Sequence, residues 1–260
     1  MFWAIVQLGY RRIDPGASVE KRDLLESGTR IANGARLIGD VSAEEGVFID
    51  SNAVAYGPVR LKRKTYVGPN SVIGFPDSEE LSKLIQSGSL SEKRPTILGE
   101  GCVVRSCTTI YSNVIVGDHV LFGHNVLVRE GVTIGNGTKL GTNVVIDGKT
   151  GIGSRVSVQT GVYVCTYSTI EDGVFLGPCC VFTNDKYAAQ KPFKLVGPTV
   201  KKGASIGANA LLFPGITVGE GAVVGSQAMV NSNVPPRTIF VGIPARRIRK
   251  VPRGWHSSLL

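Results

Sequence analysis

Apolar residues recur at every sixth position along the chain. From Leu98 to Phe182 the column holds fifteen positions, and every one is apolar although only 42% of the residues are hydrophobic. The column consists of Leu98, Val104, Ile110, Val116, Phe122, Val128, Ile134, Leu140, Ile146, Ile152, Val158, Val164, Ile170, Leu176 and Phe182. A period of six does not keep a helix of 3.6 residues per turn facing one way. The pattern therefore predicts stacked repeats of β-structure.

A second column follows four residues after the first, from Cys102 to Cys180, and it is small or β-branched throughout. Two inward positions separated by one outward position are typical of a very short strand. Glycines come directly after the first column, at Gly117, Gly123, Gly135, Gly141, Gly153 and Gly177. We expect these glycines to form tight corners with unusual φ angles. Strand and corner should therefore alternate every six residues.

The apolar column extends from Ile31 to Ile73 and again from Val200 to Val230, with two interruptions. Phe75 to Arg94 contains a short amphipathic helix pattern from Glu79 to Ile85, whereas Asn184 to Pro198 is polar and irregular. Loops carried on a rigid scaffold often bear functional residues. We therefore expect two extruded loops, 75–94 and 184–198.

The charge balance is basic, with 29 Lys and Arg against 20 Asp and Glu. This balance favours polyanionic ligands such as coenzyme or nucleotide phosphates. The excess gathers near the end of the chain, at Arg246, Arg247, Arg249, Lys250 and Arg253, where a solvated, weakly ordered tail is the alternative interpretation. Aromatic residues make up 7% of the chain and are not interleaved with this cluster, so we expect no nucleic-acid partner.

Neither the opening segment nor the cysteines indicate export. Met1 to Leu8 is too short for a signal or membrane segment, so we expect a cytoplasmic protein without a membrane partner. The five cysteines lack zinc-ribbon spacing and mostly occupy the repeat, as small buried apolar residues would.

The repeat, as in Ile134-Gly135-Asn136-Gly137-Thr138, resembles that of the hexapeptide-repeat acyltransferases over roughly 200 of the 260 residues. In that family three hexads form one triangular coil, the helix is left-handed and the enzyme is a homotrimer. The resemblance implies an all-β, left-handed parallel β-helix of about ten coils over residues 1–240. The basic tail, 241–260, would follow it.

Three further segments resemble enzymes that N-acetylate nucleotide-linked amino sugars. They are Ile73-Gly74-Phe75-Pro76, the stretch from Gly123 to Glu130, and Phe182-Thr183-Asn184-Asp185-Lys186-Tyr187. Val241-Gly242-Ile243-Pro244-Ala245-Arg246 resembles the coenzyme A end of the family. The resemblance thus implies acetyl-CoA as donor, no required metal, and an amine on a UDP- or dTDP-linked 3-amino or 4-amino sugar as acceptor.

Amide formation from a thioester needs an unprotonated amine, donors for the oxyanion and a route for the surplus proton. His124 stands at a corner and matches the position of the family's base, although an amine free at neutral pH can react with little such help. Asn125 and Glu130 are candidates to hold the sugar or its amine. Candidate nucleotide contacts are Asn184, Asp185, Lys186 and Tyr187, and candidate coenzyme contacts are Gly207, Ala208, Pro244, Ala245 and Arg246. Alternatively, the loop after Phe182 only covers a strand end, and Gly207 and Ala208 only form a corner.

Corners that stack differ by 18 in residue number, so His124 shares an edge with Ser106, Thr142 and Thr160. Glu130 and Asn184 share the next edge. We expect this second edge to face the His124 edge of a neighbouring subunit, which gives three clefts per trimer.

Other functions stay open. A gamma-class carbonic anhydrase needs three histidine ligands; His119 and His124 fit part of that pattern, but the third histidine, His256, lies in the tail. Other acceptors are a UDP-glucosamine-type lipid A precursor with an acyl carrier protein donor, or an amino acid amine. A nonenzymatic scaffold is a further alternative.

Overall fold

The computed structural model describes residues 11–87 and 94–260. Three parallel sheets form the faces of a triangular solenoid. Between the two loops each strand pairs with the strand 18 residues further along, as Leu121 does with Lys139 and Lys139 with Ser157. The spacing is 37 residues across the first loop, as from Tyr66 to Val103, and 30 across the second, as from Thr169 to Thr199. The predicted all-β parallel β-helix is confirmed. The helical content of the described residues is one α-helix, α1 (Ser78–Ser87), and one 3₁₀ turn (Arg22–Leu24).

Sheet 1 runs the length of the solenoid. Its strands are Arg12–Ile13, Arg30–Ile31, Phe48–Ile49, Tyr66–Val67, Val103–Val104, Leu121–Phe122, Lys139–Leu140, Ser157–Val158, Phe175–Leu176, Ser205–Ile206, Val223–Val224, Thr238–Val241 and Arg246–Lys250. All pair in parallel except the last, which is antiparallel to Thr238–Val241. The twelve parallel strands correspond to about twelve coils, more than the ten expected, because strands before Ile31 and after Val230 continue the solenoid.

Sheets 2 and 3 form the other two faces. Sheet 2 holds Ser18–Val19, Arg36–Ile38, Val54–Tyr56, Val72–Phe75, Thr109–Tyr111, Leu127–Val128, Val145–Ile146, Tyr163–Val164, Val181–Phe182, Leu211–Leu212 and Met229–Val230. Sheet 3 holds Val41–Ala43, Val59–Leu61, Thr96–Leu98, Ile115–Val116, Thr133–Ile134, Gly151–Ile152, Thr169–Ile170, Thr199–Val200 and Thr217–Val218.

The three lines of corners between these sheets are named as follows. The His124 edge lies between sheets 1 and 2 and includes Ser106, His124, Thr142 and Thr160. The loop edge lies between sheets 2 and 3 and includes Ser112, Glu130, Gly148 and Thr166. The third edge lies between sheets 3 and 1 and includes Asp118, Asn136, Ser154 and Asp172.

Both apolar columns form the core. Every residue of the first column from Leu98 to Phe182, and every residue of the second from Cys102 to Cys180, is buried. Burial raises the pKa of the buried thiols, to about 11 for Cys102 and Cys165 and about 12 for Cys180. Cys107 and Cys179 are exposed at corners of the His124 edge, so the buried interpretation holds for three of the five cysteines.

The glycines after the column play a different role from the expected one. Gly123 and Gly135 do not adopt positive φ; the residues two further on do, Asn125 at 53° and Gly137 at 66°. A Cβ on Gly123 or Gly135 would lie 2.6 Å from backbone atoms of the next coil. These glycines are therefore required for the close approach of stacked coils, because any side chain would clash there.

The final segment folds onto the solenoid. Arg246–Lys250 forms the last strand of sheet 1, with all five side chains exposed. Further on, the Ser257 hydroxyl donates to the Gly173 carbonyl (2.7 Å) and the Arg155 guanidinium donates to the Leu259 carbonyl (3.1 Å). A strand carrying four cationic side chains at the end of a sheet disfavours pairing with another sheet edge. Across residues 11–87 and 94–260, no helix is long and apolar enough to cross a membrane.

Candidate active site

His124 projects from its edge into solvent. The strand Leu121–Phe122 ends just before it, and the Ser106 hydroxyl of the preceding coil lies 2.7 Å from Nδ1. Within the described residues, this is the ring's one hydrogen bond. When Nδ1 carries the proton and donates to Ser106, the Nε2 lone pair points away from the solenoid. The arrangement orients an imidazole that can accept a proton from an external group.

Asn125, the neighbouring candidate, helps to form the corner and to join it to the next coil. Its backbone has a φ of 53°, which asparagine tolerates better than most residues. Its Nδ2 donates to Oδ1 of Asn143 in the next coil at 2.9 Å. The structure thus gives Asn125 a stacking role, and its contact with substrate stays a prediction.

Glu130 lies on the loop edge, as expected, and is paired there with its neighbour Arg129. Nε and Nη2 of Arg129 each donate to one carboxylate oxygen at 3.1 Å. The guanidinium also lies 5.6 Å from the ring centre of Tyr111. This bidentate geometry fixes the planes of both groups. Glu130 therefore acts together with Arg129 as one polar unit.

A second polar pair adjoins this unit on sheet 2. The Tyr163 hydroxyl donates to the Asp147 carboxylate at 2.6 Å, and burial together with this hydrogen bond raises the pKa of Tyr163. Sequence reasoning did not select Arg129, Asp147 or Tyr163. The 18-residue spacing places Arg129 and Asp147 in one outward column, and that spacing could have identified them.

The helix loop leaves the solenoid after Phe75 and is fastened at its start. Asp77 and Glu80 exchange side-chain to backbone hydrogen bonds of 2.8 and 2.9 Å, the reciprocal arrangement of a capping box. The Glu80 carboxylate also accepts from the Ser112 hydroxyl at 2.7 Å on the loop edge. The predicted helix is confirmed, and these contacts hold its first turn against the edge that bears Glu130.

The second loop leaves the same edge five coils further on. Nδ2 of Asn184 donates to the Thr166 carbonyl at 3.3 Å, and the two oxygens of Asp185 accept from the backbone N–H groups of Tyr187 and Ala189, both at 2.8 Å. Lys186 is exposed, and the Tyr187 ring packs against Phe193 at 5.4 Å. Asn184 and Asp185 therefore shape the loop, while Lys186 contributes a positive charge and Tyr187 an aromatic ring to it.

The predicted coenzyme contacts also divide into residues that shape the fold and residues that are exposed. A Cβ on Gly207 would lie 2.3 Å from the Ser226 backbone nitrogen. The close approach of the next coil is therefore sufficient to require glycine at the corner formed by Gly207 and Ala208. Ala245 is buried and donates from its backbone to Met229, whereas Pro244 and Arg246 are exposed. Arg246 is thus the exposed and charged member of this set, and one of its guanidinium nitrogens donates to the Ala245 carbonyl at 2.9 Å.

The three histidines do not converge. His119 lies on the third edge, His124 on its own edge, and His256 bonds through Nδ1 to the Gly254 carbonyl at 2.8 Å. Among the residues that the structure describes, no group of three His, Cys, Asp or Glu side chains is arranged to hold a metal ion.

Comparison with known families agrees with a solenoid that is built from a six-residue repeat. The model for the bacterial transferase hexapeptide (six repeats) matches residues 113–148, and that for the hexapeptide repeat of succinyl-transferase matches residues 202–228. Both segments therefore carry the hexapeptide repeat found in such transferases.

Similar proteins are named as acetyltransferases. One from Schizosaccharomyces pombe is 36% identical over 100 residues, which are 34% of this chain and 48% of that protein. A chloramphenicol acetyltransferase of Agrobacterium fabrum is 53% identical over 45 residues, 17% of this chain and 22% of that protein. The matches thus span about half or less of these relatives. A hexapeptide-repeat acetyltransferase from Vibrio cholerae, solved in complex with acetyl coenzyme A, is 25% identical and covers 47% of this chain and 72% of that one, with a TM-score of 0.42.

Proposed function

We propose that this protein transfers an acetyl group from acetyl-CoA to the amine of a nucleotide-linked amino sugar. The observation that carries the proposal is the exposed His124 ring, oriented through Nδ1 by Ser106 at 2.7 Å. The acetyltransferase names of its relatives support the donor. The segments around His124 and Asn184 support the amino-sugar acceptor.

In the proposed reaction, Nε2 of His124 removes a proton from the acceptor amine as its nitrogen attacks the thioester carbonyl carbon. The carbon–sulfur bond then breaks, and the coenzyme thiolate receives the proton from the imidazolium. Ser106 keeps Nδ1 protonated throughout, so that Nε2 is the atom that gains and loses the proton. The products are the amide and the free thiol.

We place the reaction in a cleft between subunits of a homotrimer, with the His124 edge of one subunit facing the loop edge of the next. Outward positions of sheet 2, between these two edges, support an interface because they are mostly apolar: Leu127, Val145, Tyr163, Val181 and Leu211. Tyr163 and Val181 are each 36% exposed in the single chain. Such a face is stabilised when another subunit covers it.

Charge supports the position of the coenzyme. Arg246 begins an exposed strand that also carries Arg247, Arg249 and Lys250. Phosphates form charge-assisted hydrogen bonds with guanidinium groups. Arg246 would pair with a coenzyme phosphate at this end of the solenoid.

A second acceptor class is a small-molecule alcohol, favoured by the 53% identity with a chloramphenicol acetyltransferase. The two classes differ in their need for a base. A hydroxyl group is a poor nucleophile without proton removal, whereas a free amine already attacks thioesters. An alcohol acceptor therefore makes the reaction depend more strongly on His124.

The test is a thiol-release assay with acetyl-CoA and a panel of UDP- and dTDP-linked 3-amino and 4-amino sugars. Each amino sugar is paired with the same sugar nucleotide bearing a hydroxyl group, and chloramphenicol is added as a separate alcohol. Release with one amino sugar and not with its hydroxyl partner is the expected result. Release with alcohols alone would move the acceptor to the second class, and no release with any acceptor would favour a scaffold.

A further inference from the structure

Two large side chains occupy corner positions of the loop edge where small residues are the rule. The second corner residue has positive φ, and on this edge Asn113 and Gly131 fill it in successive coils. The next two coils place Lys149 there at 56° and Tyr167 at 67°. Tyr167 is the one Phe, Tyr or Trp with positive φ in residues 11–87 and 94–260. A bulky aromatic residue is strained in this region, which indicates that its side chain serves a purpose other than forming the turn.

The two ends of the 184–198 loop lie beside the residues that flank Tyr167. On one side, Asn184 bonds to the carbonyl of Thr166, the residue before Tyr167. On the other, a Cβ on Gly197 would lie 2.5 Å from the nitrogen of Ser168, the residue after it. The two ends of the loop therefore flank Tyr167, whose side chain is 45% exposed.

Aromatic rings and ammonium groups occur both at this corner and in the loop whose ends lie beside it. Nζ of Lys149 lies 5.7 Å from the Tyr167 ring centre. In the loop, Nζ of Lys191 lies 3.8 Å from the ring centre of Tyr187. The loop also carries Lys186 and Lys194, and its one acid, Asp185, is engaged by backbone N–H groups. The corner and the loop beside it thus carry four lysines, two tyrosines and one phenylalanine.

We infer that Tyr167, Lys149 and the lysines of the 184–198 loop form a nucleoside-diphosphate clamp. The base stacks on the exposed part of the Tyr167 ring, and Lys149 and Lys191 pair with the diphosphate oxygens. Any nucleobase offers a π-face to an aromatic side chain, and ammonium groups bind phosphate as compact charges. This inference rests on the proposed function, because the ligand is the nucleotide half of the proposed acceptor.

The test titrates UDP, dTDP and GDP separately into the full chain by calorimetry, without acetyl-CoA. We expect at least one of them to bind. Tyr167→Asn should weaken that binding by about tenfold, because the base would lose its stacking partner. The same substitution should raise the melting temperature, because asparagine tolerates positive φ better than tyrosine. A purely structural tyrosine would not give these opposite changes.

Lys149→Asn should also weaken nucleoside-diphosphate binding severalfold, and the effect should shrink at high salt. Lys64→Asn is the matched control, because Lys64 has the same φ of 56° and packs its stem on Gly46 as Lys149 does on Gly131. Lys64 lies on the third edge, and its substitution should leave the affinity unchanged.

Two results would overturn the clamp: no binding of any of the three nucleotides, or binding that Tyr167→Asn and Lys149→Asn leave unchanged. Neither result depends on acetyl transfer. The thiol-release assay can succeed while the clamp fails, and nucleotide binding can be intact in a protein that releases no thiol.

Discussion

The His124 edge and the third edge share the same backbone corners but use their side chains differently. On the third edge, Asp118, Asn136 and Asp172 each accept a hydrogen bond from the backbone N–H of a neighbouring coil, at 2.8, 2.9 and 2.7 Å. On the His124 edge, the imidazole is held by one hydroxyl group and remains exposed. Corner geometry alone therefore does not identify a site. A corner side chain is a better candidate for function when it does not accept a hydrogen bond from the backbone of a neighbouring coil.

The largest difference between the two edges should appear in activity. His124→Ala should lower kcat/KM for acetyl transfer by about 10² to 10⁴, the range for loss of a general base. His119→Ala, at an exposed corner of the third edge, should leave kcat/KM within about twofold. The measurement is steady-state thiol release with the acceptor found in the panel. A change below about threefold for His124→Ala would instead indicate substrate-assisted transfer.

Ser106 should have a smaller effect that acts through His124. Ser106→Ala should lower kcat by about threefold to tenfold with little change in KM, because one neutral hydrogen bond contributes about 0.5–1.5 kcal/mol. Ser106→Thr keeps the hydroxyl group and should retain most of the rate. The same Ser106→Ala substitution in the His124→Ala background should have no further effect. A full additional loss there would contradict the positioning role.

On the third edge the corresponding loss should be one of stability. Asp172→Ala leaves the Ser154 N–H without its acceptor and should lower the free energy of unfolding by about 1–2 kcal/mol. Asp172→Asn keeps an acceptor oxygen and should lose less. Denaturant unfolding measures both, and kcat/KM should stay unchanged. A loss of activity in folded Asp172→Ala would remove the contrast between the edges.

The smallest expected effect is a pH dependence on the third edge. Hydrogen bonding from Lys201, with further help from the Lys202 backbone, lowers the pKa of Glu171 below its ordinary value of 4.5. This interaction stabilises the fold above the unfolded-state pKa and is lost as the pH falls through the folded-state value. Both side chains are partly exposed, so the contribution should be below about 1 kcal/mol.

Thermal unfolding between pH 6 and pH 3 provides the measurement. Glu171→Gln should flatten the acid limb slightly, and Lys201→Met should do the same. An unchanged acid limb in both variants would show that this pair does not contribute.

Periodicity predicted the solenoid because every coil repeats the same burial, and a fixed repeat leaves few alternative folds. It also placed Ser106 beside His124 and both loops on one edge. It did not reveal that the Asp185 carboxylate accepts hydrogen bonds from its own loop, or that Arg129 donates to Glu130. These contacts depend on side-chain rotamers rather than on the register of the repeat. The strand Arg246–Lys250 was missed for another reason: its antiparallel pairing breaks the repeat, and its basic composition resembles a solvated tail.

The two loops leave the same edge of the solenoid, and the number of coils between them fixes the distance between their starting points. Five strand pairings separate the sheet 2 strand that precedes the helix loop from the strand that precedes the 184–198 loop. At about 4.8 Å per pairing, the loops begin about 24 Å apart. Insertion or deletion of one whole coil would change this span in a single step and leave every corner facing as before. The distance between the two loops therefore changes only in whole-coil steps of about 4.8 Å.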